Sequence, residues 1–314
     1  MDRRLHTFAS ARGSVVTSAQ AGALDVDESA LRRLRRAGEL VRVRRDAYVL
    51  GEAWAAATPE QRLALRTRAI LATRGADVAS HQAALAMQGL PLYGVDLVTV
   101  DVLTRTRRVR LAAGLRTHPS RPGGEHVVAD GYRCVPVAVA IAQVTMRDGL
   151  MAGLVPLDAA LHRHRCSPGE VRSALDERAT TARLRARRDA LLRLADGASE
   201  SVGETLTRLA LVDAGLPVRS QVEVRDPAGR FVGRVDLLVG DRVVVEFDGA
   251  VKYAGAEGRE ALVREKRRED ALRALGYLVV RVTWADLERP GAVVALVRRA
   301  LTGLSATDGR LSAS

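Results

Sequence analysis

The order of helix and strand patterns after Ser201 restricts the fold of this chain more than any other feature. Ser201 is an N-cap residue with Glu204 three positions later, the pattern of a capping box, and a helix follows as far as Gly215. The patterns that follow are β-prone runs at 218–224, 231–239 and 242–247, a helix near 258–275, a strand at 277–283 and a last helix at 290–301. This αβββαβ order predicts a C-terminal α/β domain over residues 191–304.

The central hairpin of that domain contains acidic residues inside apolar strands. Gly240-Asp241-Arg242 forms a three-residue loop, which predicts that Asp236 lies directly across from Glu246. Alternation then places Asp248 on the same face as Glu246. Carboxylates are uncommon in strands and seldom buried without a partner, so this pattern indicates a cation site. Oxygen ligands at this spacing suit Mg²⁺ or Mn²⁺, and Glu204 is placed to assist.

The spacing Asp236, nine residues, Glu246, one residue, Asp248 resembles the PD-(D/E)XK phosphodiesterase motif of restriction-endonuclease-like folds. The domain is most similar to Vsr-like endonuclease domains of unknown function, of the actinobacterial type. The segments that carry this similarity are 201–204, 233–236, 245–249, 264–270 and 276–277, within a likeness that covers 196–303. The resemblance implies that Asp236, Glu246 and the backbone carbonyl of Phe247 hold a metal ion. It implies catalysis by Glu204, Asp236, Glu246 and Asp248.

The motif's usual lysine is replaced here by Asp248. The only lysines among the 49 Lys and Arg residues are Lys252 and Lys266, and both belong to this domain. One of them could supply the missing ammonium group, and Lys252 is nearer to the acids in sequence. The alternative is that the two lysines fall here by chance. Since Arg does not deprotonate, it is a poor substitute for a catalytic lysine.

The N-terminal segment predicts a winged helix-turn-helix. A short helix at 19–24 follows the Thr17-Ser18 caps, and a second helix begins after Asp27 and ends before Gly38. Two β-prone runs at 40–43 and 47–50 then form a hairpin. In a winged helix the second helix enters the major groove and the hairpin touches the DNA backbone. The residues expected to bind DNA are Arg32, Arg33 and Arg36 on the helix and Arg42, Arg44 and Arg45 on the wing.

This segment resembles the AbiEi family of type IV toxin–antitoxin regulators. The matching residues lie at 13–17, 31–34, 38–43 and 48–50, and the likeness continues through Ser80-His81-Gln82-Ala83-Ala84 and Gly89-Leu90-Pro91. The resemblance implies binding to operator DNA, repression of the protein's own operon and a cognate toxin as partner. A winged helix used only for protein contacts is the alternative.

Composition excludes several classes of protein. Two cysteines, Cys134 and Cys166, cannot form a disulfide scaffold or a four-ligand zinc site. No apolar stretch is long enough to span a membrane or to act as a signal peptide, so we expect a cytoplasmic protein. The formal charge of +12 favours polyanionic partners, although the arginine excess is also the mark of a GC-rich genome. The histidines at 118, 126, 162 and 164 lack metal-site spacing, and His81 is interpreted as a structural residue at a helix start.

The sequence therefore predicts an α/β multidomain protein. We expect a winged helix over 1–55, an α+β middle region with a helical connector over 56–190, the endonuclease-like core over 191–304 and a disordered tail over 305–314. The favoured hypothesis is a DNA-binding protein whose C-terminal domain is a Mg²⁺- or Mn²⁺-dependent deoxyribonuclease, with a homodimer as one option for its assembly. The alternatives are a non-enzymatic antitoxin and operator-binding repressor, a nuclease fold with a dead site, and a repair or mobile-element nuclease.

Overall fold

A computed structural model describes residues 2–120, 123–249 and 256–311 of the 314-residue chain. The chain divides into two compact units, Met1–Ala195 and Asp196–Ser314, which are described separately. Within the described residues, no helix is both long enough and apolar enough to cross a membrane.

The first unit begins with a small helical domain and a three-stranded sheet of order β1-β3-β2. Its elements are α1 (Arg3–Ser10), β1 (Val15–Thr17), α2 (Ser18–Gly22), α3 (Glu28–Arg36), β2 (Leu40–Arg44) and β3 (Ala47–Leu50). The Asp27 side chain accepts a hydrogen bond of 2.6 Å from the Ala30 N–H, which starts α3 as expected. Leu5 of α1 packs with Leu31 and Leu40 in one buried cluster. This arrangement is consistent with a winged helix, although α1 was not predicted.

The rest of the first unit surrounds a six-stranded sheet of order β6-β7-β5-β4-β9-β8. Its strands are β4 (Val78–Ala79), β5 (Val100–Thr104), β6 (Arg110–Ala112), β7 (Leu115–Pro119), β8 (Val127–Ala129) and β9 (Tyr132–Cys134). Its helices are α4 (Gly51–Ala56), α5 (Pro59–Thr73), α6 (His81–Met87), α7 (Val137–Asp148), α8 (Leu150–His162), α9 (Pro168–Asp176) and α10 (Ala182–Leu194). The parallel pairing of β5 with β7 brings Leu103 beside His118, which positions a polar cluster described below.

The second unit is a four-stranded sheet with helices on both faces. Its elements are α11 (Val202–Asp213), β10 (Val218–Arg225), β11 (Phe231–Val239), β12 (Val243–Asp248), α12 (Ala256–Ala274), β13 (Leu278–Thr283), α13 (Trp284–Glu288) and α14 (Ala292–Leu311). The strand order is β10-β11-β12-β13, with antiparallel pairing except between β12 and β13. Leu211 of α11 and Val297 of α14 pack on one face of the sheet, and Leu272 of α12 packs on the other.

The C-terminal helix differs from the expectation of a disordered tail over 305–314, of which residues 312–314 lie outside the described part of the chain. α14 continues to Leu311, although serine and glycine are frequent in this segment. Val293 and Val297 are buried against the sheet, so the first turns of the helix are held by packing. Once these turns are fixed, each further residue adds a hydrogen bond at low cost, and the helix propagates.

Candidate nucleic-acid interface and carboxylate site

The helix α3 presents a row of arginines to solvent. Arg32, Arg33 and Arg36 are exposed, whereas Leu31 is buried in the domain core. Arg32 is held by Glu28 one turn earlier, with 3.1 Å between its Nη1 and the Oε1 of Glu28. The helix therefore has one apolar face in the core and a cationic surface suited to phosphate oxygens.

The three arginines of the wing differ in their surroundings. Arg42 and Arg45 are exposed, and Nε of Arg45 lies 3.5 Å from the Oδ2 of Asp46. Arg44 instead points at the six-stranded sheet. Its Nη1 donates to the carbonyl oxygens of Ala112 and Ala113 at 3.4 and 3.3 Å. Arg44 thus fixes the wing to the β6–β7 turn, while Arg42 and Arg45 remain open to solvent.

In the second unit, Asp236 and Glu246 lie side by side on β11 and β12. The register pairs Leu237 with Val245, which continues to Asp236 beside Glu246. The backbone N–H of Phe247 donates to the Oδ2 of Asp236 at 3.0 Å. Burial raises the pKa of Asp236, and the carboxylate of Glu204 raises it further. Burial likewise raises the pKa of Glu246, with Glu265 and Asp236 adding to the effect.

Arg268 of α12 is the cation nearest to Glu246 among the described residues, and sequence reasoning missed it. Its Nη2 lies 2.8 Å from the Oε1 of Glu246 and 2.8 Å from the Oε1 of Glu265. Its Nη1 donates to the carbonyl oxygen of Arg234 at 3.0 Å. The signal available in the sequence was the run 264–270, in which Glu265 and Arg268 share a helix face. In an arginine-rich chain that signal does not stand out.

The other residues predicted for this site occupy different environments. Lys266 and Asp248 are exposed, and Lys252 lies outside the described residues. Glu204 is buried, but its side chain does not complete the expected capping box with Ser201. Its Oε2 instead accepts hydrogen bonds from the Glu200 N–H at 3.0 Å and the Gln221 amide at 2.9 Å. The capping box fails because these two donors already hold the carboxylate.

Gly203 allows α11 to approach the carboxylate strand closely. A Cβ atom at this position would lie 2.1 Å from the Phe247 ring, far inside van der Waals contact. The Phe247 ring also meets Trp284 edge to face, with 5.1 Å between ring centroids. The Phe247 ring therefore packs against both α11 and Trp284, which restricts the backbone between Glu246 and Asp248.

The carboxylate pair has the donor chemistry for a divalent cation. The Oε1 of Glu246 is buried, and its contact with Arg268 is an ion pair without hydrogen-bond geometry. This oxygen thus keeps an acceptor position, as a metal ligand requires. Within the described part of the chain, no third carboxylate joins Asp236 and Glu246 in a metal-binding cluster, so two of the expected acids converge here.

The winged-helix arrangement of the first elements, with the arginines of α3 on its surface, is typical of a DNA-binding regulator. Residues 3–51 match the family model of a transcriptional regulator, AbiEi antitoxin. Two relatives in Mycobacterium tuberculosis are "Uncharacterized protein MT2308" of strain CDC 1551 / Oshkosh and "Uncharacterized protein Rv2248" of strain ATCC 25618 / H37Rv. Each is 30% identical over 227 residues, covering 70% of this chain and 82% of the relative.

The chain therefore belongs to the same family as these two mycobacterial proteins, with an AbiEi antitoxin domain at its N-terminus. The expected AbiEi resemblance is thereby confirmed for residues 3–51. The Vsr-like resemblance of residues 196–303 stays a prediction.

Proposed function

We propose that this protein is a transcriptional regulator that binds operator DNA through α3 and the wing. The observation that carries the proposal is the row Arg32, Arg33 and Arg36, exposed on a helix whose other face is fixed in the core of an AbiEi-type domain. Guanidinium groups bind phosphate oxygens bidentately and read guanine edges in the major groove. Arg42 and Arg45 supply backbone contacts from the wing, and a cognate toxin is the proposed protein partner.

We expect replacement of Arg32, Arg33 and Arg36 together by alanine to weaken operator binding about a hundredfold or more, since each contact contributes roughly 1–3 kcal/mol. The measurement is fluorescence anisotropy on the DNA upstream of the protein's own gene, at several salt concentrations. The slope of log K against log salt should fall by about one for each phosphate contact removed.

The matched control replaces Arg183, Arg185 and Arg193, three exposed arginines of α10, by alanine. This variant loses the same charge without touching α3. Equal weakening in both triple variants would show that only net charge matters, and would contradict recognition by α3.

A second function is favoured by the adjacent carboxylates of Asp236 and Glu246. We propose that the second unit, whose αβββαβ order is that of restriction-endonuclease-like folds, hydrolyses phosphodiester bonds in DNA. The carboxylates of Asp236 and Glu246 and the backbone carbonyl of Phe247 would hold Mg²⁺ or Mn²⁺. When bound, such an ion lowers the pKa of a water molecule and neutralises charge on the scissile phosphate.

The protein's own residues have distinct parts in this second proposal. The Phe247 N–H orients the carboxylate of Asp236, and Glu204 adds negative charge near Asp236. Arg268 compensates the charge of Glu246 and lies where a phosphate group would also find a positive partner. Lys266 and Lys252 stay candidates for the role of the missing lysine, and Asp248 stays a candidate catalytic residue.

We expect the full chain to nick supercoiled plasmid DNA with Mg²⁺ or Mn²⁺, and Asp236→Ala and Glu246→Ala each to reduce the rate at least a hundredfold. Asp241→Ala, in the exposed hairpin loop, is the control. Calorimetry should show a cation site in the wild type that Asp236→Asn removes. Absence of cleavage with either metal, or cleavage by the two site variants at the wild-type rate, would contradict enzymatic activity while leaving operator binding untouched.

A further inference from the structure

The first unit contains a cavity of about 1460 Å³ beside the six-stranded sheet. Apolar side chains such as Leu103, Val109 and Val139 line its walls. A group of nitrogen-bearing side chains lines its polar end: His81, Arg116, His118, Gln143 and Arg147. Apolar walls with a few convergent polar groups are the usual design of a small-molecule site.

His81 is the most unusual residue of this group. Its φ is +51°, a left-handed conformation that is uncommon for a bulky residue, and only 8% of the residue is exposed. The backbone N–H of His81 donates a hydrogen bond of 2.8 Å to the side-chain oxygen of Gln143. The Nδ1 of His81 lies 3.1 Å from the hydroxyl oxygen of Ser80. No described residue hydrogen-bonds to its Nε2. A left-handed backbone at a largely buried histidine that lines a cavity is the kind of strain found at ligand sites.

The buried carboxylate of Asp101, which lies outside the cavity, accepts hydrogen bonds from several of the polar side chains that line it. Asp101 is 0% exposed and does not line the cavity. Its Oδ1 accepts from Nε2 of His118 at 2.5 Å and from Nη1 of Arg147 at 2.6 Å, with Nη1 of Arg116 at 3.5 Å. Its Oδ2 accepts from the Gln82 amide at 2.6 Å. Asp101 therefore positions four side chains, of which His118, Arg116 and Arg147 also line the cavity.

This arrangement disfavours a metal ion, even though ligand atoms of His81, Asp101 and His118 lie within 4.8 Å of one another. Both oxygens of Asp101 are already occupied, and two guanidinium groups stand where a cation would have to bind. Three acidic residues line the cavity: Glu170 accepts from Ser167, Glu177 pairs with Arg178, and Glu125 is exposed to solvent. A ligand at the polar end thus meets donors.

We propose that this cavity binds a small organic anion. Its carboxylate or phosphate head would contact Arg116, with His81, His118 and the Gln143 amide beside it, and its apolar body would lie along the walls. Charge-assisted hydrogen bonds to such a head are the strongest that these side chains can offer. All the residues that line the cavity belong to the first unit, and none of them lies on α3.

The test is histidine-selective ¹⁵N NMR on the full chain, which has six histidines. Benzoate and inorganic phosphate are titrated separately, with neutral benzamide as the control and Zn²⁺ as the competing ligand. We expect at least one anion to shift the His81 and His118 signals saturably and to leave those of His6, His162 and His164 in place. Saturation by phosphate alone identifies a phosphate head, and saturation by benzoate identifies a carboxylate.

Arg116→Gln should weaken the anion at least tenfold, and Arg116→Lys should weaken it less, because the charge is kept. Arg183→Gln, an exposed arginine on α10, is the matched control and should change nothing. Unshifted signals of His6, His162 and His164 in each variant before titration show that the fold is kept. The proposal is overturned if neither anion acts at tens of millimolar, if benzamide equals benzoate, or if Zn²⁺ binds the two histidines of the wild type more tightly than either anion does.

Discussion

Asp101→Asn is expected to destabilise the protein by about 3–5 kcal/mol, because it removes the acidic partner of a buried ion-pair network. The side chain of Asp101 is 0% exposed, and the contacting side chains of Arg147 and Arg116 are only 25% and 23% exposed. Burial opposes ionisation of Asp101, but the hydrogen bond from His118 and the charge of Arg147 outweigh it and lower its pKa. The network therefore needs the carboxylate in its charged form.

Urea denaturation of the full chain, followed by a probe of the first unit, measures this loss. Asp130→Asn is the control, because Asp130 also pairs with an arginine, Arg68, but its side chain is 49% exposed. A surface pair of this kind contributes at most about 1 kcal/mol. Equal losses in the two variants would contradict the assignment of Asp101 as the centre of the network.

The second large effect expected is a loss of stability on acidification that depends on His81. Burial, followed by the influence of His118 and Arg147, lowers the pKa of His81 from 6.5 to about 2. Below pH 6.5 the unfolded chain therefore binds a proton that the folded chain does not bind. Stability contributed by neutral His81 is complete above pH 6.5 and falls by about 1.4 kcal/mol per unit below it. Between pH 6.5 and 5 the loss amounts to about 2 kcal/mol.

The measurement is the free energy of unfolding at pH 7 and pH 5 for the wild type and for His81→Asn. Asparagine tolerates the left-handed backbone and does not titrate, so this variant should lose about 2 kcal/mol less on acidification. His164→Asn is the control, since His164 has the same φ of +51° and is exposed. Asp101 does not interfere, because a lowered carboxyl pKa affects stability only below its ordinary value of 3.8. An unchanged pH dependence in His81→Asn would refute a buried neutral imidazole.

Local signals in the sequence were sufficient for much of the fold. Asp27 and Gly38 mark the ends of α3 by capping, and Pro59 starts α5 at its first position. The three-residue loop after Val239 correctly predicts the register that aligns Leu237 with Val245. These features depend on neighbours a few residues apart, which a single sequence displays directly.

The features that were missed depend on contacts between distant residues. His81, Asp101, His118 and Arg147 come together only because β5 pairs with β7 and α7 packs nearby, so their spacing along the chain carries no pattern. Arg268 belongs to α12, the helix that follows β12, and lies 22 residues after Glu246 in the sequence, yet the two side chains form an ion pair. With so many arginines in the chain, neither Arg147 nor Arg268 is distinguishable by residue type. Conversely, the rarity of lysine made Lys266 a candidate for the missing catalytic lysine, yet its side chain is exposed to solvent.

The bond between Arg44 and the β6–β7 turn has a consequence for how this family can diverge. Ala113 holds that turn at a φ of +48°, and its carbonyl, with that of Ala112, accepts from the Arg44 side chain. The side chain at position 44 and the conformation of the turn therefore depend on each other. A substitution in only one of them would break the hydrogen bonds that hold the wing against the sheet. In relatives, residue 44 and the turn should vary together. A winged helix grafted from another regulator would have to bring its own turn with it.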